Sequence, residues 1–146
     1  DLHPQVLGDF LSNHIAKGGK ILGHNIVSFD LPVIRESMDC WAAGDILSKK
    51  DSIIDTKILF SKSSLSYGNL QSSLNDLAKH NLNATKLMKS EDAPTAWRDG
   101  KYQEVVEYCL KDTQLTYDLY ILGKENSMLK SRCMDTGEIK EVILEW

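Results

Sequence analysis

Three residues set the chemistry this sequence could perform: Asp30, Tyr108 and Asp112. Asp30 follows the run Ile21-Leu22-Gly23 and the polar pair His24-Asn25, so its carboxylate falls in the first turn of a helix that opens just past a strand. In open α/β sheets, ligands gather beyond the carboxyl ends of the strands. Tyr108 and Asp112 lie one turn apart on a later helix and share a face. That face is otherwise apolar or aromatic, and an unpaired buried carboxylate costs several kcal/mol, so Asp112 calls for a partner or a metal. Two carboxylates and a phenol are hard oxygen donors, suited to Mg²⁺ or Mn²⁺. Each feature also has a plainer explanation. An aspartate in a first turn answers the helix macrodipole, and Asp112 could be salt-bridged.

The elements that must position these groups can be read in order. Leu7, Phe10, Leu11, His14 and Ile15 recur at helical spacing from about Pro4, and Gly18-Gly19 ends the run. His14, on that stripe, reads as a hydrogen-bonded boundary histidine. Residues 20–23 predict a strand, with Ser28 capping a helix to about Met38 and Pro32 inside its tolerant first turn. Residues 39–50 read as a connection with a short helix, in which Trp41 and Ile46-Leu47 pack. Residues 52–54 predict a second core strand, then a brief helix through Lys57, Ile58 and Phe60. Asp55, at the end of that strand, reads as a helix cap or as a member of an acidic cluster, the cap being preferred.

Further along, the serine-rich residues 61–67 suit an exposed loop. Ser73 and Asp76 open a helix containing Leu74 and Leu77 in the manner of a capping box. Residues 81–93 are irregular and carry Lys86 and Lys89. The longest helix runs from Lys101 to about Lys124, with Tyr102, Val105, Tyr108, Asp112, Leu115, Leu119 and Leu122 on one stripe. Residues 128–133 and 139–144 flank Asp135-Thr136-Gly137, a hairpin tip.

At 146 residues and 42% hydrophobic composition the chain suits a single domain, 1–146, with one core. Its net charge of −4 removes the broad attraction that a non-specific nucleic-acid coat would use, so any nucleic-acid contact must be local and aided by metal. Cys40, Cys109 and Cys133 are odd in number and form no CxxC, which argues against a disulfide framework or a zinc site and fits a reducing, cytoplasmic compartment. No apolar run reaches membrane-span length, so no membrane partner is expected.

Asn25-x-x-x-Phe29-Asp30 resembles the second exonuclease motif of the DEDD 3′-5′ exonucleases, and Tyr108-x-x-x-Asp112 the third motif of their tyrosine-bearing DEDDy branch. Ser73-Leu74-Asn75-Asp76-Leu77-Ala78 with downstream Lys86 resembles the serine-leucine helix and lysine between those motifs in B-family polymerase exonuclease domains and related stand-alone proteins. The resemblance covers roughly residues 21–122. It implies an RNase H-like (ribonuclease H-like) fold, a mixed sheet flanked by helices, here with a C-terminal β-hairpin. It also implies two-metal hydrolysis of the 3′ ends of DNA or RNA with Mg²⁺ or Mn²⁺. On this resemblance Asp30 and Asp112 would hold metal and converge on one cleft, and Tyr108 would orient the attacking water. His24, Asn25 and Phe29 would lie beside the terminal nucleotide, Phe29 as a stacking ring or equally as a core residue. Lys86 would approach a phosphate, though a solvated lysine is the more ordinary reading.

One departure stands out. The family's first motif, an aspartate and a glutamate one residue apart on an opening strand, has no counterpart here; Asp135 and Glu138 have the wrong spacing and place. The expectation is an excerpt truncated at its N-terminus, with little nuclease activity by itself. The strand at 20–23 would then be an interior strand lacking its neighbour, its edge covered by the hairpin or by a second copy of the chain. The alternatives are a catalytically dead RNase H-like module that binds nucleic acid or protein, and a plain α/β interaction domain.

Overall fold

The computed structural model describes residues 3–84 and 88–146. The chain forms two compact units, divided after Ile58.

The first unit opens with α1 (Pro4–Ala16), whose N-terminus is capped by the His3 ring accepting the Gln5 amide. Strand β1 (Ile21–Gly23) follows, then α2 (Asp30–Met38), α3 (Trp41–Ser48) and β2 (Ile53–Asp55). β1 and β2 pair in parallel, Ile21 with Ile53, Leu22 with Ile54 and Gly23 with Asp55. Leu11, Ile26, Leu31, Ala43 and Ile46 form the core of this unit. Two expectations change here, at Ser28 and Trp41, and the short helix expected within residues 39–50 is present. Ser28 does not cap α2; Phe29 occupies that position without a side-chain cap bond. Residues 41–48 form a full two-turn helix, because Ala42, Ala43 and Ile46 present one buried face. Trp41, expected to pack, is 57% exposed.

Helix α4 (Thr56–Ser64) crosses the division, continuing through the serines that suggested a loop. Those serines are satisfied within the helix: Ser63 Oγ donates to the Leu59 carbonyl and Ser64 Oγ to that of Ser61. The second unit then contains α5 (Leu74–Leu82), a short α6 (Ala93–Arg98), the 25-residue α7 (Tyr102–Asn126), and the antiparallel hairpin β3 (Met128–Arg132) and β4 (Ile139–Ile143). Ser73 caps α5 as its spacing with Asp76 predicts, accepting the Asp76 amide at 3.1 Å. Phe60, Leu77, Leu119, Leu129, Val142 and Leu144 make this unit's core, so the C-terminal half of α7 packs against α5 and the hairpin. The Asn81 side chain donates to the Lys130 carbonyl and accepts the Lys130 amide, both at 2.8 Å, acting as one more residue of strand beside β3.

The fold is thus mixed α/β and mostly helical, with the expected C-terminal hairpin. Among the described residues the strands make two separate two-stranded sheets, one parallel and one antiparallel, in place of one mixed sheet. Among the described residues β1 pairs with β2, and β3 with β4. Among the described residues no helix is long and apolar enough to cross a membrane.

Candidate functional site

In the first unit the site is the loop from β1 to α2. Gly23 ends β1 where a Cβ would lie 2.5 Å from Cβ of Ile26, so no larger residue fits without displacing that turn. Asn25 takes the left-handed conformation at φ 69°, which its short polar side chain tolerates. The chain then turns tightly enough for the Phe29 amide to reach the Asn25 carbonyl at 3.0 Å, and α2 begins at Asp30.

The loop is held from the end of β2. Asp55, only 5% exposed, accepts the amides of Asn25 (2.9 Å), Val27 (3.1 Å), Lys57 (3.0 Å) and Ile58 (3.3 Å). The helix-cap reading of Asp55 is correct, and the same carboxylate also grips the opposite loop. The buried Thr56 donates its hydroxyl to the Gly23 carbonyl at 3.2 Å. Its oxygen also lies 2.8 Å from His24 Nδ1. Asn25 is therefore held by the last residue of β2 and His24 by the first residue of α4.

Phe29 is 61% exposed, so the core reading of that ring does not hold. Asp30 beside it is also exposed as a residue. Its carboxyl pKa is nonetheless raised, first by desolvation and then by the Asp55 charge, against the lowering effect of a backbone hydrogen bond.

In the second unit Tyr108 is 8% exposed, and its hydroxyl lies 2.8 Å from that of Ser90. Burial pushes the phenol pKa up; the Ser90 bond opposes this, and Asp112, one turn on, adds to it through hydrogen bonding and charge. Tyr108 is thus a neutral phenol at neutral pH, able to donate. Asp112 is half-buried, and its main-chain carbonyl accepts the Thr116 hydroxyl at 2.8 Å. The expected stripe of α7 is buried at Tyr108, Leu115 and Leu119, whereas Tyr102 is 54% exposed.

The structure therefore brings together His24, Asn25 and Asp30 in one unit and Tyr108 with Asp112 in the other. Lys86 lies outside the described residues. Two partners went unread in the sequence. Thr56 could have been found as the polar neighbour of Asp55 at a strand end, but Ser90 carried no local signal. Among the described residues no three His, Cys, Asp or Glu side chains cluster closely enough to hold a metal ion. No family model, curated protein or solved structure matches the chain.

Proposed function

We propose that the chain is part of a metal-dependent 3′-5′ exonuclease domain of RNase H-like type, acting on nucleic-acid 3′ ends. The observation that carries this reading is Asp30: a partly desolvated carboxyl, repelled by Asp55 and set beside an exposed phenylalanine, just beyond the carboxyl end of a parallel strand. Asp30 and Asp112 are the groups that would hold Mg²⁺ or Mn²⁺. Such ions, when bound, stabilise the attacking and leaving oxygens of an in-line displacement at phosphorus. Asp55 is assigned a structural part on this reading, since it accepts four backbone amides, three at Oδ1 and one at Oδ2.

On this reading Phe29 stacks on the terminal base, and Asn25 and His24, held at the β2–α4 junction, line its approach. Tyr108, held neutral, orients a water by donating or accepting a single hydrogen bond. The rest of the ligand set belongs to the acidic pair that this sequence lacks. The test is a Mn²⁺ titration followed by paramagnetic broadening of NMR signals near Asp30 and Asp112. It is joined to nucleotide release from 3′-labelled single-stranded DNA and RNA by a polypeptide that also carries the acidic pair. Release should vanish in Asp30→Ala and Asp112→Ala and weaken in Tyr108→Phe. Nucleic-acid binding without release would replace this reading with a binding module, and no Mn²⁺ effect at Asp30 would end both.

A further inference from the structure

We propose that Asp55 is the positioning residue of this site: its buried carboxylate clamps the loop that presents Asn25, Phe29 and Asp30 to a ligand. What the loop presents rests on the exonuclease reading; the clamp itself rests on geometry alone.

A carboxylate has about four lone-pair directions, and Asp55 meets four amide donors from two chain segments. Lys57 and Ile58 belong to the start of α4, so this half is an ordinary helix cap. Asn25 and Val27 belong to the far loop and lie outside any helix or strand, so this half is a tertiary bond with no cap function. The loop needs it. Asn25 sits in the left-handed region that its short side chain tolerates but does not enforce, so a bond to its amide is what fixes the turn there. Thr56, the first residue of α4, strengthens the grip by holding Gly23 and His24, so two consecutive residues at the β2–α4 junction fix the backbone leaving β1. Asp30 begins α2 directly after this held segment, and its carboxylate can be placed no better than the loop before it.

The two oxygens are unequally used, which makes the clamp separable from the cap. Oδ1 accepts Asn25, Lys57 and Ile58, and Oδ2 accepts Val27 alone. In Asp55→Asn the amide should turn its NH₂ toward the site with one donor, losing Val27 while keeping the other three. In Asp55→Glu the charge stays, but the longer side chain moves both oxygens out of register.

The experiment combines amide hydrogen exchange with Mn²⁺ titration by NMR on wild type, Asp55→Asn and Asp55→Glu. In wild type the Asn25 and Val27 amides should exchange as slowly as the strand amides of β2. In Asp55→Asn the Val27 amide should exchange at least tenfold faster while Phe60 and Leu119 keep their protection. Mn²⁺ affinity at Asp30 should fall in both variants by on the order of 10- to 100-fold, the range found when groups that orient metal ligands are removed. Wild-type Asn25 and Val27 amides that exchange as fast as that of exposed Ser28 would overturn the clamp even if neither variant folds. Full Mn²⁺ affinity in Asp55→Glu would overturn positioning in favour of simple charge. A wild type that shows no Mn²⁺ effect refutes the exonuclease reading instead, and the exchange data then judge the clamp alone.

Discussion

The hydroxyls of Tyr108 and Ser90 lie 2.8 Å apart, tying the first half of α7 to the 3₁₀ turn at Ser90–Asp92. Because the Ser90 bond lowers the phenol pKa and Asp112 raises it, the two neighbours can be told apart. Ser90→Ala should move the Tyr108 titration further up, and Asp112→Asn should bring it down. The spectrophotometric titration, referenced to Tyr108→Phe to subtract the other tyrosines, checks both. Shifts of the same sign in the two variants would refute the arrangement.

Asp30 predicts a stability that depends on pH. Its folded pKa is raised above the unfolded value, so between the two values the folded chain binds more protons, and stability falls as pH rises through that window. Asp30→Asn removes the loss. The variant should melt above wild type at pH 7, and the gap should close as pH falls below the ordinary carboxylate value of 3.8. A proposed functional residue that costs stability is what a site held ready for a cation would show. An Asp30→Asn protein that melts lower at pH 7 contradicts this.

The core of the second unit gives a contrast along one helix. Leu119 is fully buried and Leu110 is 65% exposed. Leu119→Ala should cost about 2–5 kcal/mol. Leu110→Ala should stay within about 0.5 kcal/mol of wild type. Urea denaturation measures both, and equal losses would show that the buried face of α7 is misassigned.

Gly23→Ala tests the loop. The added methyl would meet Ile26 Cβ at 2.5 Å, and a β-branched side chain joined to its own backbone cannot swing away cheaply. A loss of about 1–3 kcal/mol is expected, in the range of overpacked interiors. Gly18→Ala is a poor control because Gly18 has φ +81°, so Ala42→Gly, with no clash, serves to calibrate a small-residue change in the same unit.

How much of this was legible follows the range of the interactions. α1, α5, α7 and the hairpin are announced by local devices: a proline at N1, the Ser73–Asp76 cap, a long period, and a tip at Asp135-Thr136-Gly137. The bounds of the short helices are not. α3 buries mainly alanines, which leave little hydrophobic contrast, and α6 is a brief turn opened by Pro94 within an irregular stretch. At the site, the residue types at Asp30, Tyr108 and Asp112 could be read. The holding of the loop could not, because it is done by Asp55 from β2, and only the parallel pairing brings that carboxylate to Asn25 and Val27. Ser28 looked like the cap for the same reason: sequence neighbours were visible and the distant acceptor was not.

The parallel pairing also sets an order of events. β3 and β4 are joined by a short turn, and hairpins form in about 1–10 μs. β1 and β2 have α2 and α3 between them, so their register must wait for a much longer loop to close. Asp55 reaches the amides of Asn25 and Val27 only after that closure. During refolding, pulse-labelled amides of Leu129 and Val142 should therefore become protected before those of Asn25 and Val27. The chain would own a hairpin and a long helix while the loop bearing Asp30 was still open, and its site would be the last part of the molecule to exist.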